Sequence, residues 1–289
     1  MDWRRRDPSD AIARCRKSLS LGCAFIGDIG ATALANALCV DRVLTKLDLS
    51  CNSIEPTGAT ALADALRVNG ALTALDVSYN NLMTEEAALG IVRVEQQRNK
   101  LTSLGLAGCG IGPAGAAGVA EYVSGSGVLK SLYLDNNHIG DTGAVAIAEA
   151  LRGNGVLTDL NLTNNNITGR TDGINASEVE GESKEVGAKV IYQGREMIVR
   201  WMYSYGELEL EDPTGVIAIA KVLEVNGVLT KLDLGCNNIG PTGATALADA
   251  LKVNGVLKNI NLDYNILGDE GRKAIRDAVS GREGFELKM

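Results

Sequence analysis

From Leu44 onward the chain repeats one order of apolar and polar positions: Leu44, Leu47 and Leu49, then Asn52 and Ile54, then a longer run rich in Ala and Leu. The order restarts at Leu72, Leu101, Leu129, Leu157, Leu229 and Leu257, in steps of 28 or 29 residues with one exception. Between Leu157 and Leu229 the step is 72, or 28 plus 44, so one unit carries an insertion. One step before Leu44, a degenerate unit keeps Leu19, Leu21 and Ile26 but has Ala24 in place of Asn. The alternation around the two inner leucines is that of a short strand with one buried face. In PTGATALADALKVNG the spacing changes: Ala244, Leu247, Ala248 and Leu251 fall at i, i+3, i+4 and i+7, Pro241 and Thr242 open the run, and Asn254-Gly255 closes it. That is a helix with a small-residue inner face.

One such unit buries too little apolar surface to fold alone, so neighbours must stack into a single quasi-linear core with protected ends. Asp7 to Lys17 reads as an N-terminal capping helix. A charged helix from Gly271 to Ser280, followed by Phe285, Glu286 and Leu287 where a further unit would start, reads as the C-terminal cap.

The unit L-x-x-L-x-L-x-x-N/C with its G-x-x-G-A-x-A-L-A-x-A-L helix resembles the ribonuclease-inhibitor-like class of leucine-rich repeats, over about five sixths of the chain. The resemblance implies an α/β fold: a right-handed, curved solenoid of about eight repeats, with parallel strands on the concave face and helices on the convex face. The expected organisation is a cap over 1–17, repeats over 18–168, an insertion over 169–212, and repeats with the second cap over 213–289. Cys109 at the Asn position is a substitution the family tolerates; the insertion lies outside its pattern.

Composition narrows the function classes. The chain has 289 residues, 45% hydrophobic but only 4% aromatic, so aliphatic side chains must fill the core. Its 28 basic and 36 acidic residues give a net charge of −8, which disfavours nucleic acid or an anionic membrane and favours a protein partner with a basic surface. Six cysteines without a C-x-x-C pair, and no apolar run of signal or membrane-span length, imply free thiols, no zinc site and an intracellular, cytoplasmic protein.

Apparent catalytic motifs dissolve on comparison between units. Gly110 to Gly115 spells G-x-G-x-x-G between a strand and a helix, but two of its glycines belong to the repeat, as Gly240 and Gly243 show. His138 is the sole histidine and lies in a variable turn, so no nucleophile or acid–base set can be built around it. No enzyme, cofactor or metal is expected.

Binding chemistry is expected on the strand residues flanking the inner leucines. Asp48, Asp76, Asp135, Asp159, Asp233 and Asp263 make an acidic row there, with Tyr133 as an aromatic anchor and Gly105 interrupting it. The competing reading is that Asp and Asn merely keep an open strand face solvated.

Within the insertion, GRTDGINASEVEGESKE (169–185) has the polar, Gly-containing composition of a flexible linker. KVIYQG, REMIVRWMYSYG and ELELED then read as a small antiparallel sheet, similar to the strand-turn-strand pattern of SH3-like barrels but short for one. Tyr192, Trp201, Tyr203 and Tyr205 concentrate here, either as the module's own core, the favoured reading, or as a partner-binding surface centred on Trp201 and Tyr203. The expected function is a non-catalytic protein-binding scaffold. Resemblance alone adds an alternative, an activator of a small GTPase of the Ran type.

Overall fold

The computed structural model describes residues 17–289, so the N-terminal helix expected up to Lys17 lies outside the described residues apart from its last position. Nine three-residue strands run parallel in one sheet. They are β1 (Ser18–Ser20), β2 (Lys46–Asp48), β3 (Ala74–Asp76), β4 (Ser103–Gly105), β5 (Ser131–Tyr133), β6 (Asp159–Asn161), β11 (Lys231–Asp233), β12 (Asn259–Asn261) and β13 (Glu286–Lys288). Eight helices alternate with them: α1 (Gly27–Val40), α2 (Pro56–Val68), α3 (Glu85–Arg98), α4 (Pro113–Gly125), α5 (Gly140–Gly153), α6 (Thr214–Leu223), α7 (Pro241–Val253) and α8 (Gly268–Val279).

The register follows the repeat: Leu47 pairs with Leu75, Leu75 with Leu104, Leu104 with Leu132, and Leu132 with Leu160. Leu160 then pairs directly with Leu232, so the inserted residues leave and rejoin the stack between adjacent rungs. The central residue of each strand, Leu in eight and Ile260 in β12, points to the helices and the flanking residues to the other face, and one hydrophobic core runs from Ala31 to Ile275. Close helix contact sets the small residues: a Cβ on Gly143 would lie 2.8 Å from that of Ala116, and one on Gly271 2.7 Å from that of Ala244.

Two internal polar ladders tie the rungs. Asn52, Asn80, Asn137, Asn165, Asn237 and Asn265 each donate Nδ2 to a carbonyl of the preceding rung at 2.7–3.0 Å. Their Oδ1 atoms accept backbone amides of that rung, as Asn137 does from Cys109 and Ile111. These side chains are buried, and the ladder satisfies turn groups that have no strand partner. The residue before each ladder position has φ between 53 and 59°: Cys23, Cys51, Tyr79, Gly108, Asn136, Asn164, Cys236 and Tyr264.

The second ladder runs past the helix ends. Asn69, Asn154, Asn226 and Asn254 donate to carbonyls of the previous helix end, and each accepts two amides of its own following turn. In the 29-residue unit Asn99 falls out of place, and the buried pair Glu95–Arg98 takes over. Arg98 donates to Asn69 O (2.8 Å) and Leu72 O (2.5 Å), while Glu95 Oε2 accepts from Lys100 N and Leu101 N.

The insertion holds a four-stranded antiparallel sheet in the order β7-β10-β9-β8, from β7 (Thr171–Asn175), β8 (Lys189–Tyr192), β9 (Arg195–Met202) and β10 (Glu207–Glu211). Residues 171–175, expected as linker, are therefore a strand. Ile174 supplies one buried side chain, and β10 supplies the ladder that the polar TDGIN lacks on its own. Gln193 and Gly194, both at positive φ, make the tight β8–β9 turn that the right-handed strand twist favours. The module's core is Ile174, Val179, Val190, Met197, Val199, Leu208 and Leu210. The aromatics are not that core, a correction to the favoured expectation: Tyr192 only borders it, Trp201 and Tyr205 are 58% and 69% exposed, and Tyr203 stacks on Tyr205 with ring centroids 5.4 Å apart. Trp201 follows the register shift at Arg200 and stays outside the core, which aliphatic residues and Met197 fill instead.

Candidate functional site: the open strand face and the inserted sheet

Three rows of side chains project from the sheet away from the helices. Asp48 and Asp76 stand in register on adjacent strands, with Gly105 and Tyr133 on the next two. The small residues leave a hollow of about 270 Å³ whose walls include Ser20, Asp48, Asp76, Gly105 and Tyr133. Gly105 makes room for the Asp76 carboxylate, since a Cβ would come within 2.2 Å of Asp76 Oδ1 as it stands.

The carboxylates fall in different rows, with Asp159 in register with Lys231, Asp48, Asp76 and Asp233 at the last strand position, and Asp135 and Asp263 just past the strand ends, and they differ in what they already hold. Asp48, Asp76 and Asp233 each accept the amide two residues on, from Ser50 (3.0 Å), Ser78 (2.9 Å) and Gly235 (2.9 Å); Asn161 and Asn261 do the same for Thr163 and Asp263. These are Asx turns that lead the chain out of the strand. Asp48 also accepts from the Ser20 and Ser50 hydroxyls at 2.7 Å. Burial alone would raise its pKa, but these bonds outweigh that and hold its carboxyl below the usual value. Asp233 accepts further from Thr163 (2.5 Å) and Asn261 (3.0 Å). Asp135 accepts from Tyr79, Asn136 and Asn161.

Among the described residues the Asp159 carboxylate has only the Lys231 ammonium, at 3.8 Å. Burial raises its pKa, Lys231 opposes the rise and the neighbouring Asp233 adds to it. The Asp263 carboxylate accepts no hydrogen bond among the described residues; the Asn265 side chain donates to its backbone carbonyl. These two carboxylates are the least committed of the set.

Tyr79, absent from the expected set, belongs to the site. Its ring lies over Gly108, its hydroxyl donates to Asp135 Oδ2 at 2.6 Å, and Asn136 Nδ2 donates to that hydroxyl at 2.8 Å. Burial, then the adjacent carboxylate, push the phenol up to about 12. Tyr264 occupies the same repeat position and is 86% exposed. The signal in the sequence is a Tyr-Asn pair at the turn in both units, which alignment of the repeats exposes.

Trp201 and Tyr203 stand apart from these rows, on the inserted sheet. That sheet is fixed to the loops joining strands to helices. Arg195 bridges Asp141 at the start of α5 and Asp212 before α6, Asp212 N donates to Thr168 O at 2.6 Å, and Arg200 Nη1 donates to Asn238 O at 2.9 Å. His138 is exposed in its turn, and Gly112 N of the glycine-rich loop is occupied by Glu85 Oε1 at 2.8 Å. No cluster of three or more His, Cys, Asp or Glu suited to a metal ion occurs among the described residues, and none of their helices is long and apolar enough to cross a membrane.

A family model described as Leucine Rich repeat matches residues 40–63, 98–120, 128–148, 153–170 and 225–248. Among solved structures, the tropomodulin C-terminal domain of Caenorhabditis elegans is 12% identical, covering 68% of this chain and 92% of its own, with a TM-score of 0.45. A Bacteroides fragilis protein is 15% identical over 88% of this chain and 69% of its own, with a TM-score of 0.42. The Actin-Binding Site 2 of leiomodin-1 is 19% identical over 53% and 75%, with a TM-score of 0.34. No curated protein matches the chain. The five matched segments contain β2, β4, β5, β6 and β11 with the turns that follow them, and the chain carries leucine-rich repeats in these places.

Proposed function

We propose that the chain is a non-catalytic scaffold that binds a protein partner with a basic surface, through the acidic strand face and the inserted sheet beside it. The observation that carries this reading is the unequal commitment of the aspartates on that face. Asp48, Asp76, Asp135 and Asp233 are held by hydrogen bonds within the fold, whereas Asp159 and Asp263 are not. Carboxylates without an internal hydrogen bond, two strands apart on the open face, offer ion-pair and hydrogen-bond acceptors to lysines and arginines of a partner. Nine strands about 4.8 Å apart give a face nearly 40 Å long, the scale of a protein patch.

The test is affinity capture with the double variant Asp159→Lys/Asp263→Lys against the unaltered chain. Loss of the captured protein with an unchanged melting temperature supports the proposal. Equal capture by both removes the strand face from the function.

A further inference from the structure

Between the inserted sheet and the loops that precede α7 and α8 lies a cavity of about 410 Å³. Val186, Ile198, Trp201 and Ile266 supply much of its wall, and two charged side chains, Arg200 and Glu211, reach it from the inserted sheet. Their side chains are 9% and 3% exposed. Arg200 is the extra residue of a β-bulge: Trp201 opposes Glu209 and Val199 opposes Leu210, leaving Arg200 without a partner residue. Bulges re-aim side chains in this way beside binding sites.

The bonding of these two groups is incomplete. Arg200 uses Nε on Glu209 at 3.1 Å and Nη1 on Asn238 O at 2.9 Å, with Nη1 3.7 Å from Glu211 Oε2. Arg200 Nη2 and Glu211 Oε2 are buried and have no hydrogen-bond partner among the described residues. Burial raises the Glu211 pKa, Arg200 opposes the rise and Glu209 adds to it. Gly240 makes room for this carboxylate, because a Cβ there would stand 2.4 Å from Glu211 Oε2. An unmatched donor beside an unmatched acceptor on an apolar wall is costly unless a ligand completes both.

We infer that this cavity binds a peptide segment of the partner, taking one apolar side chain against Trp201, Ile198 and Ile266 while its backbone amide accepts from Arg200 Nη2 and donates to Glu211 Oε2. Charge selects a neutral amide. Arg170 and Arg200 balance Glu209 and Glu211 around the site, so a carboxylate ligand meets Glu211 and an ammonium meets Arg200. The size fits one large side chain with one amide, and a mostly apolar wall with a few convergent polar groups is the usual make-up of a ligand site. The cavity mouth at Ile266 lies three residues beyond Asp263, at the end of the acidic strand face. The identity of the occupant as a peptide rests on the scaffold reading above; the amide chemistry of the cavity does not.

The test titrates the full chain with N-methyl-3-phenylpropanamide, its isosteric ester methyl 3-phenylpropanoate, the acid 3-phenylpropanoate, and the capped tripeptide acetyl-Ala-Phe-Ala-amide. The readout is the Trp201 indole resonance, assigned with Trp201→Phe. Saturable binding of the amide with Kd on the order of 1 mM is expected. The ester and acid should be about tenfold weaker, and the tripeptide tighter than the simple amide. Ile266→Glu, at a half-exposed position outside the core, abolishes binding without altering the fold, and Arg200→Met removes the preference for amide over ester. No saturable response, an ester or acid that binds as well as the amide, or undiminished binding to Ile266→Glu overturns the inference. A tripeptide no tighter than the simple amide overturns the peptide as occupant. Because none of these arms uses the partner, failure here leaves the strand-face test standing on its own.

Discussion

The Tyr79 hydroxyl reaches across Gly108 to donate to Asp135 at 2.6 Å, joining rungs two apart on the open face of the sheet. Its φ of 57° at the turn aims the ring along the stack, and Gly108 is the one residue that lets it pass, since a Cβ there would sit 2.8 Å from the ring. Asp135 is thereby a structural acceptor before it is a partner contact. Tyr79→Phe is expected to cost about 1 kcal/mol by chemical denaturation, a low value because the side chain is partly exposed.

The same bond sets a pH dependence. The phenol ionises at about 12 in the folded chain against an ordinary value near 10. A group raised on folding contributes stability that is fully present below its unfolded value and lost as pH rises through the folded one. The stability difference between the parent chain and Tyr79→Phe should therefore be constant up to about pH 10 and shrink toward 12. Gly108→Ala should return the phenolate absorbance transition toward pH 10 by displacing the ring.

Glu95 and Arg98 replace a ladder asparagine with a buried ion pair, so each half depends on the other. Arg98→Ala is expected to destabilise by about 3–5 kcal/mol, because it strands a carboxylate and two backbone carbonyls. Glu95→Ala/Arg98→Ala should cost less than the sum of the two singles, measured as a double-mutant cycle.

Asn137 and Cys109 occupy equivalent places in successive rungs but carry different loads. Asn137 satisfies two amides and two carbonyls, whereas Cys109 makes only long sulfur contacts with Val77 O (3.6 Å) and Ala107 O (3.5 Å). Asn137→Ala should lower stability by about 3 kcal/mol or more and Cys109→Ala by no more than about 1–2. Equal effects would contradict the ladder's role.

Arg195 is the pin between the inserted sheet and the solenoid, through Asp141 and Asp212. Arg195→Ala is expected to speed amide exchange in β8 and β9 and leave the protection of β2 to β5 unchanged. Matching acceleration across both sheets would show that the two do not open separately.

The solenoid was legible because its information is periodic: each Leu, Asn and Gly recurs at the same place, and the structure pairs Leu160 with Leu232 as the 28-plus-44 step implies. The outward place of the aspartates was equally legible from strand alternation. Their inward commitments were not, because the Asx turn at Asp48 and the reach of Tyr79 depend on turn geometry and on a neighbour two units away. In the insertion, composition misled. Polar TDGIN becomes a strand through pairing with β10, and the aromatics lie outside a core that Val, Leu, Ile and Met fill. The bulge that turns Arg200 toward its cavity has no sequence mark at all.

The central claim, that the strand face and the adjoining sheet hold the partner, is tested most directly by a hydrogen-exchange footprint of the chain with its captured protein. Slowed exchange is predicted in the turns that follow β6, β11 and β12 and in β9 of the inserted sheet. Protection confined to the exposed surfaces of helices α2 to α5, with the strand face unchanged, would contradict it.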